Sequence, residues 1–456
     1  DLSLEAGSII ELDAVGAVTL GSGDNITVVS DANLDFTAGQ SAVFSAAASA
    51  AFLATLGSVD VTADTSLDLA SGADMTLSAG DAVTLDAGDA LGVSAGGALS
   101  LDTDAGATIA AGAGMQVVAG AEMALSASQT LDLTSTGALG LESGGATVIN
   151  TGSSLDLSSV SDMTLNSTGD LTVTTNAGMH VQSAGAMTWD SGGALTVQVS
   201  DALTVQTWDA ITLEASGAVD VNLGATFVLD SGADVSISSA GDVSLAVDND
   251  FSVSAQSASV ALPNTADIAL GSEFVLDAGS DITIDSGGVL TLLTDAQFTA
   301  VSAGLFNLSS SGAMSVDSGT EFSVSVVGGP LSFQASGSAD FSAGTTFTVD
   351  AGGAIAFASE DTLAFQAAAD FAVTAATDIV SNATGDTALR AGGLLEVSAG
   401  GALALDSGAD VEILAADELT VMADGIVLDS SGNATIASLD VLRSEERRVG
   451  KECRSR

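Results

Sequence analysis

The sequence has very few of the residues on which most enzyme active sites depend. Its 456 residues include one histidine, no tyrosine, one cysteine and two prolines. The single cysteine, Cys453, lies close to the C-terminus, so the rest of the chain cannot form a disulfide framework. The scarcity of proline beside 52 glycines favours short strands separated by corners over long helices.

Basic residues are also nearly absent. The chain has 59 acidic residues and 7 basic ones, giving a formal net charge of −52. Affinity for nucleic acid depends on lysine and arginine neutralising phosphates, so we predict no nucleic-acid partner, and an anionic membrane surface is disfavoured for the same reason. Carbohydrates, cations and basic or other surface proteins remain as candidate partners. Only Arg390 precedes the six C-terminal basic residues, which are Arg443, Arg447, Arg448, Lys451, Arg454 and Arg456.

The ending SEERRVGKECRSR differs from everything before it in charge and pattern. It resembles translated vector or sequencing read-through, and such scars are set aside from fold reasoning. We therefore predict a repeat domain over residues 1–442 and a non-native tail over residues 443–456. Because Asp1 already lies within the repeat, we expect the chain to be a fragment of a longer protein.

What the sequence has in abundance is repetition. Pairs of apolar residues separated by one polar residue recur about every eight residues, as in MTLSAGDAVTLDAGDA. Apolar residues two apart point to one face of a strand, and the following Ala-Gly steps permit a tight corner. One octad is thus a strand and a corner, which can be stable only by stacking on neighbours. A second period of about 24 residues is set by Phe227, Phe251, Phe274, Phe298, Phe322, Phe347 and Phe371.

Three octads per period predict an all-β fold, a single-chain three-sided parallel β-helix of about 18 rungs, with octads three apart as direct neighbours on one face. The phenylalanines then form a ladder of rings about 4.8 Å apart. An intertwined trimer would separate such octads by about 14 Å, so nothing would select this period and a monomer is favoured.

Small changes of spacing predict where the register slips. We place a one-residue insertion just before Val43, which the pattern then puts in an inward position. Further slips are predicted at Val260/Leu262 and Phe274/Leu276, which compensate each other in part. The last two are at Leu331/Phe333 and Ile426/Leu428. Both prolines adjoin slips, as expected for a residue confined to corners or bulges.

The longest uncharged segment, residues 36–59, raises the question of a membrane span. It is rich in Ala, Ser and Gly and keeps the doublet spacing, so we predict no span.

No catalytic, cofactor-binding or metal-binding residue is predicted. His180 occupies an outward strand position, where a solvent-facing residue is favoured over a general base. Trp189 is expected in the core and Trp208 at an exposed corner, where stacking on a carbohydrate is the alternative. The octads leave no room for the long loops that form a cleft, so we predict that the chain is not an enzyme.

The acidic residues average about one per octad and recur near the corners. The glycine-rich nonapeptide of calcium β-rolls is missing, so we expect a solvated acidic surface, with weak calcium binding as the alternative. Pairs such as Asp250 with Glu273, Asp242 with Asp267 and Asp386 with Asp410 are predicted to stack directly on each other, at equivalent positions of adjacent turns.

Octads such as GALSLDTD and DAVTLDAG resemble the needle repeats of phage tail spikes and of the type VI secretion spike. They are also similar to the repeat tracts of filamentous-haemagglutinin-type adhesins. The resemblance covers nearly all of residues 1–442. From the repeat, the charge and the missing catalytic residues, we predict a rigid acidic rod within an extracellular or cell-surface protein, serving in spacing, adhesion or fibre formation. The shaft of a spike is the second hypothesis and a β-helical carbohydrate-active enzyme the third.

Overall fold

The structure, a computed structural model, describes residues 2–262, 264–438 and 441–446. It divides into two compact units, unit 1 (Asp1–Gly241) and unit 2 (Asp242–Arg456). The described residues form strands and no helix, so none of them forms a helix able to cross a membrane.

Unit 1 contains thirty strands among its described residues, nearly all of five residues. In chain order, β1 to β30 are Leu2–Ala6, Ile10–Ala14, Val18–Ser22, Ile26–Ser30, Leu34–Ala38, Ala42–Ala46, Ala50–Ala54, Val59–Ala63, Leu67–Ser71, Met75–Ala79, Val83–Ala87, Leu91–Ala95, Leu99–Thr103, Ala107–Ala111, Met115–Ala119, Met123–Ala127, Leu131–Ser135, Leu139–Ser143, Thr147–Thr151, Leu155–Ser159, Met163–Ser167, Leu171–Thr175, Met179–Ser183, Met187–Ser191, Leu195–Val199, Leu203–Thr207, Ile211–Ala215, Val219–Leu223, Phe227–Ser231 and Asp234–Ser239.

Unit 2 continues the same pattern with twenty-six strands among its described residues. In chain order, β31 to β56 are Val243–Val247, Phe251–Ala255, Ser257–Leu262, Ala266–Leu270, Phe274–Ala278, Ile282–Ser286, Leu290–Thr294, Phe298–Ser302, Phe306–Ser310, Met314–Ser318, Phe322–Val326, Leu331–Ala335, Ala339–Ala343, Phe347–Ala351, Ile355–Ser359, Leu363–Ala367, Phe371–Ala375, Ile379–Ala383, Thr387–Ala391, Leu395–Ala399, Ala402–Ser407, Val411–Ala415, Glu418–Ala423, Gly425–Ser430, Ala434–Ser438 and Val441–Glu446.

Within each unit, a strand pairs in parallel with the strand three places further along the chain. In unit 1, β1 pairs with β4 so that Leu2 lies opposite Ile26, and in unit 2, β31 pairs with β34 in the same way. Counting in threes defines the faces: face A begins at β1 or β31, face B at β2 or β32, and face C at β3 or β33. The described strands make ten turns in unit 1, and eight turns with two further strands in unit 2. The predicted three-sided parallel β-helix is confirmed.

Each octad uses its first five positions for the strand and the last three for the corner. In β11, Val83, Leu85 and Ala87 at positions 1, 3 and 5 are buried, while Thr84 and Asp86 at positions 2 and 4 face outward. Side chains of a strand alternate between its two faces, so three strands per turn enclose a continuous apolar interior. The small residue at position 5 leaves room for the chain to turn.

The predicted ring ladder is present in unit 2. Phe251, Phe274, Phe298, Phe322, Phe347 and Phe371 stack in sequence with centroid separations of 4.5 to 5.3 Å and interplanar angles of at most 21°. The same geometry joins Phe333 to Phe357 on face C, at 5.5 Å, and Phe341 to Phe365 on face A, at 4.9 Å. Residues 24 apart are therefore neighbours on every face of this unit.

The prediction that Val43 points inward is wrong. Val43 faces outward, and its neighbour Phe44 is buried. Likewise Phe52 is buried while Leu53 faces outward. The extra residue belongs to the corner at 55–58, which joins β7 to β8 with four residues in place of three.

Three rings in one turn explain this register. Phe36, Phe44 and Phe52 occupy position 3 on faces B, C and A and meet edge to face, with centroids 5.2 to 6.5 Å apart. They fill the interior, so Ala42 and Ala50 suffice at position 1. The pattern of paired apolar residues fails here because alanine is too weakly apolar to identify an inward position in the sequence.

The predicted slips around Val260/Leu262 and Phe274 reduce to one. In β33, the first inward residue is the buried Ala258, which lies opposite Ile282. One residue is therefore missing between β32 and β33, and no compensating slip follows. Because Ala258 is small, the sequence pattern placed the first inward residue of this strand at Val260, two residues too late.

The slips at Leu331 and Ile426 are where the pattern predicts them. Leu331 begins β42 after a four-residue corner, and Ile426 lies opposite Leu403 on face C. Pro330 ends that corner and accepts a hydrogen bond from the Phe306 amide at 3.2 Å. The corner prediction for Pro263 lies outside the described residues.

The ladder runs a little past the predicted domain boundary at residue 442. Strand β56 pairs in parallel with β53, and it includes the first four residues of the predicted tail. The remainder of that tail, residues 447–456, lies outside the described residues. Whether the tail is foreign to the protein remains a prediction.

Candidate functional site

Many of the acidic residues have a structural task at the corners. An aspartate at position 8, just before a strand, accepts a hydrogen bond through Oδ1 from the backbone amide of the equivalent residue one turn later. Asp74 accepts from Ala98 at 2.9 Å, and Asp378 accepts from Ala402 at 2.7 Å. The same bond is made by Asp162, Asp170, Asp242, Asp250, Asp281, Asp370, Asp386 and Asp410.

A glycine beside the acceptor usually makes room for this bond. A Cβ added to Gly97 would lie 2.3 Å from Asp74 Oδ1, and one added to Gly401 would lie 2.3 Å from Asp378 Oδ1. Both approaches are far shorter than a van der Waals contact. The same close approach occurs at Gly185, Gly193, Gly304, Gly393 and Gly432. An aspartate before a strand, followed by a glycine 22 or 23 residues later, is therefore a sequence signal for this hydrogen bond.

These bonds modify the expectation of a simply solvated acidic surface. Of the predicted neighbours, Asp250 accepts from the Glu273 amide at 3.3 Å and Asp386 from the Asp410 amide at 3.0 Å. Asp242 instead accepts from Thr265 at 3.2 Å. The predicted pairing of Asp242 with Asp267 is therefore wrong, because the one-residue deletion before β33 shifts the register.

Buried hydroxyls form a second set of corner bonds at position 5. Ser318 Oγ donates to the Ala296 carbonyl one turn earlier at 2.8 Å and lies 2.7 Å from the Glu321 carbonyl. The bond satisfies the buried Ser318 hydroxyl and gives the Ala296 carbonyl a second donor beside the Thr320 amide. Comparable hydroxyls are Ser143, Ser159, Ser167, Ser191, Ser286, Ser310, Ser359 and Ser407.

Face B of unit 1 stacks three outward carboxylates in register. Glu11, Asp35 and Asp60 lie at position 2 of β2, β5 and β8. Burial raises the pKa of the Asp35 carboxyl above its ordinary 3.8, and repulsion from Asp60, a hydrogen bond that the protonated Asp35 carboxyl donates to Asp60, and repulsion from Glu11 raise it further. Among the described residues, no group of three or more His, Cys, Asp or Glu side chains is arranged to hold a metal ion.

His180 lies at the outward position 2 of β23, as predicted. It is half-buried between Asp156 of β20 and Thr204 of β26. Burial raises the pKa of Asp156, the charge of Asp132 adds to this rise, and His180 opposes it. The neighbours of His180, Asp156 and Thr204, are therefore outward residues of a regular parallel strand ladder.

Two open grooves lie on the outward faces. In unit 1, a groove of about 580 Å³ crosses face C over Gly92 and Gly140, with Asp68 and Glu142 on its walls. In unit 2, a groove of about 480 Å³ crosses face A beside Arg390. The Arg390 guanidinium donates to Glu412, with Nε 2.9 Å from Oε2.

The interior of unit 2 contains a small cavity of about 20 Å³ next to Ser381. Ser381 occupies position 3 of β48, between Phe357 and Leu405 on face C. Its hydroxyl is buried and has no hydrogen-bond partner. The cavity follows from a small polar side chain in a row of large apolar ones.

The two tryptophans lie where the pattern predicts them. Trp189 is 2% exposed at position 3 of β24, and Trp208 is 79% exposed at the corner after β26. Trp208 is the largest exposed apolar side chain of the described residues.

Comparison with known proteins adds no family. No protein-family model, curated protein or solved structure matches the chain.

Proposed function

We propose that the chain is the structural repeat segment of an extracellular or cell-surface protein, where it serves in spacing, adhesion or fibre formation. The observation that carries this proposal is the shortness of the connections. Within the described residues of each unit, successive strands are joined by one to four residues. Nearly every residue of an octad therefore belongs to a paired strand or to a corner.

The outward surface fits this role. It presents short polar side chains and carboxylates, and within unit 1 it contains no lysine or arginine. Exposed carboxylates keep a protein built from strands from pairing with its own copies, because like charges repel. A repeat that can be lengthened turn by turn, with a surface that resists aggregation, suits a spacer.

Location can be tested on the cells that make the protein. Antibodies raised against the chain are expected to label intact cells, and external protease is expected to remove the label. Labelling that requires permeabilised cells would contradict the surface location.

Spacing can be tested by removing whole turns from unit 1. Deletion of 24 residues, such as 99–122, should leave the remaining turns paired and bring two fluorophores that flank the deletion about 4.8 Å closer. Deletion of only 99–106 is the control, because it moves every later strand to a different face. A spacer tolerates the first change and not the second, whereas equal damage from both would count against this role.

The second hypothesis is the shaft of a phage-tail-like or type VI secretion spike, which the resemblance of the octads favours. A spike needle joins three chains, whereas each unit here completes its three faces from one chain. Sedimentation equilibrium separates the two: we expect the mass of one chain, and a trimeric mass would favour the spike. The enzyme hypothesis stays third, because the two grooves described above are open to solvent and do not enclose a substrate.

A further inference from the structure

One corner of unit 1 carries three of the six exposed large apolar side chains among its described residues. This corner, which we term the BC corner, is where the chain passes from a face B strand to a face C strand. Val15, Val160 and Trp208 are 96%, 62% and 79% exposed, and each occupies position 6 directly after a face B strand. Most other octads place a glycine or a polar residue at this position.

Two of these residues belong to one continuous stripe. Strands β20, β23 and β26 are successive neighbours on face B, so the residues that follow them lie in three successive turns. Those residues are Val160, Ala184 and Trp208, all exposed. The stripe therefore offers an aliphatic strip that ends at an indole ring.

Carboxylates lie in the same corner as Trp208 and in the next turn. Asp209 follows Trp208 in the same corner and is exposed. In the next turn, the position of a Gly232 Cβ would be 2.3 Å from the Trp208 carbonyl oxygen, so the backbone of this turn lies directly against Trp208. Asp230 and Asp234 stand two residues before and after Gly232. Asp230 is held in place by a 3.1 Å hydrogen bond from Gln206 Nε2.

We propose that this stripe binds a basic, extended polypeptide by placing a lysine or arginine side chain over Trp208. Tryptophan is the best aromatic partner of a cation, and it attracts arginine more often than lysine. The alkyl stem of either side chain can pack along Ala184 and Val160 while its charged head lies near Asp209, Asp230 and Asp234. The absence of lysine and arginine from unit 1 leaves no cation of its own to compete for the ring.

Charge alone would attract a basic peptide to any acidic part of the chain, so the experiment must isolate the ring. The probe is a fluorescein-labelled peptide of five Arg-Ala repeats, titrated against the full chain in 150 mM salt and followed by anisotropy. We expect Trp208→Ala to weaken binding by about three- to tenfold, in line with cation–π contacts. Trp208→Phe should retain part of the affinity.

The matched control is Val327→Ala. Val327 is 70% exposed at the same corner position of unit 2, where no tryptophan lies. It should leave the affinity unchanged. Asp209→Asn should weaken binding and reduce its salt dependence. Because Trp208 is exposed, hydrogen exchange of the neighbouring strands should be the same in Trp208→Ala and the parent chain.

Three results would overturn the inference. The first is an affinity that Trp208→Ala does not change, and the second is no measurable binding of the peptide. The third is a change of Trp208 fluorescence with a neutral cello-hexasaccharide but not with the peptide, which would assign the ring to carbohydrate. The inference does not depend on the proposed surface location, so antibody labelling and peptide binding can fail separately.

Discussion

The two units build the same octad around different interiors. In unit 1, Leu, Met and Val fill most inward positions, and three phenylalanines meet edge to face within a single turn. In unit 2, six phenylalanines stack face to face at position 1 of face B. Rings on different faces cross, whereas rings at the same position in successive turns of one face stack.

The comparison shows that the backbone does not depend on one packing solution. Large rings on one face are accommodated by small residues elsewhere, as at Ala300 and Ala339 in unit 2, which are both fully buried. Total volume in a turn is what must be conserved, in agreement with the tolerance of cores for exchanges that keep volume. The corner bond from an aspartate to an amide one turn later, by contrast, occurs in both units.

Truncating a ring in the ladder should have the largest effect. Phe322→Ala removes a ring that stacks on both neighbours, at 4.8 Å on Phe298 and 4.5 Å on Phe347. We expect a local loss of about 3–5 kcal/mol. Since repeat proteins unfold in parts, hydrogen exchange of β38, β41 and β44 is the appropriate measurement.

Phe44→Ala is the matched change in unit 1. It removes a ring that meets Phe36 and Phe52 edge to face, at 5.2 and 5.5 Å. Edge-to-face and stacked pairs each contribute about 0.5–1.5 kcal/mol, so we expect a loss close to that of Phe322→Ala. The outward Ser323→Ala is the control and should change exchange little. A much smaller loss for Phe44→Ala would show that stacked rings stabilise their unit more than crossed rings do.

The corners should respond equally in the two units. Gly97→Ala in unit 1 and Gly401→Ala in unit 2 each drive a methyl group against an aspartate Oδ1, at 2.3 Å in both cases. Each is expected to cost about 1–3 kcal/mol, the usual penalty of overpacking. The stability losses of the two variants are compared by chemical denaturation monitored by hydrogen exchange.

Gly114→Ala is the control, because its nearest atom would be 3.8 Å away. Combining Gly97→Ala with Asp74→Ala should recover part of the loss, since the clash and the bond involve the same oxygen. Strictly additive costs would mean that the aspartate and the glycine are not coupled.

Filling the cavity of unit 2 should stabilise that unit. Ser381→Val replaces a buried hydroxyl that lacks a partner with two methyl groups that face the cavity, and we expect a gain of about 1 kcal/mol. Thermal melting and exchange of β48 measure it.

Ser359→Val is the sharp control. Ser359 is equally buried, but its hydroxyl donates to the Gly337 carbonyl at 2.7 Å. This change should destabilise the unit, so the same substitution is predicted to act with opposite signs at two sites of face C. Destabilisation at Ser381 would show that its hydroxyl binds a water molecule that the protein needs.

The smallest effect is expected from charge on face B of unit 1. The pKa of Asp35 is raised in the folded state, so folding favours its protonated form. The contribution of Asp35 to the free energy of unfolding therefore increases as the pH falls through the raised pKa towards 3.8. It is smallest at pH values above the raised pKa. Asp35→Asn should stabilise unit 1 at neutral pH by less than about 1 kcal/mol, because the side chain is partly exposed.

The pH profile of melting checks this prediction. Asp35→Asn should flatten the profile between the raised pKa and 3.8, whereas Asp13→Asn should not, since Asp13 faces Thr37 and no carboxylate. Equal profiles for the two variants would show that the stacked carboxylates do not interact.

The octad, the 24-residue turn and the stacking of phenylalanine rings in successive turns can all be predicted from the sequence. Each follows from a period that many residues repeat, so single exceptions do not hide it. The register at Val43 and Val260 could not be read, because an inward alanine carries too little apolar signal to show which side of the strand it occupies.

The hydrogen bonds of the acidic residues, by contrast, depend on how successive turns pack. Asp74 and Gly97 stand 23 residues apart, and a carboxylate in a corner looks the same in the sequence whether it faces water or a backbone amide. Whether the carboxylate accepts a hydrogen bond from an amide depends on the residues of the next turn that pack against it. The same holds for the stripe of Val160, Ala184 and Trp208, whose members become neighbours only when the chain has closed two turns between them.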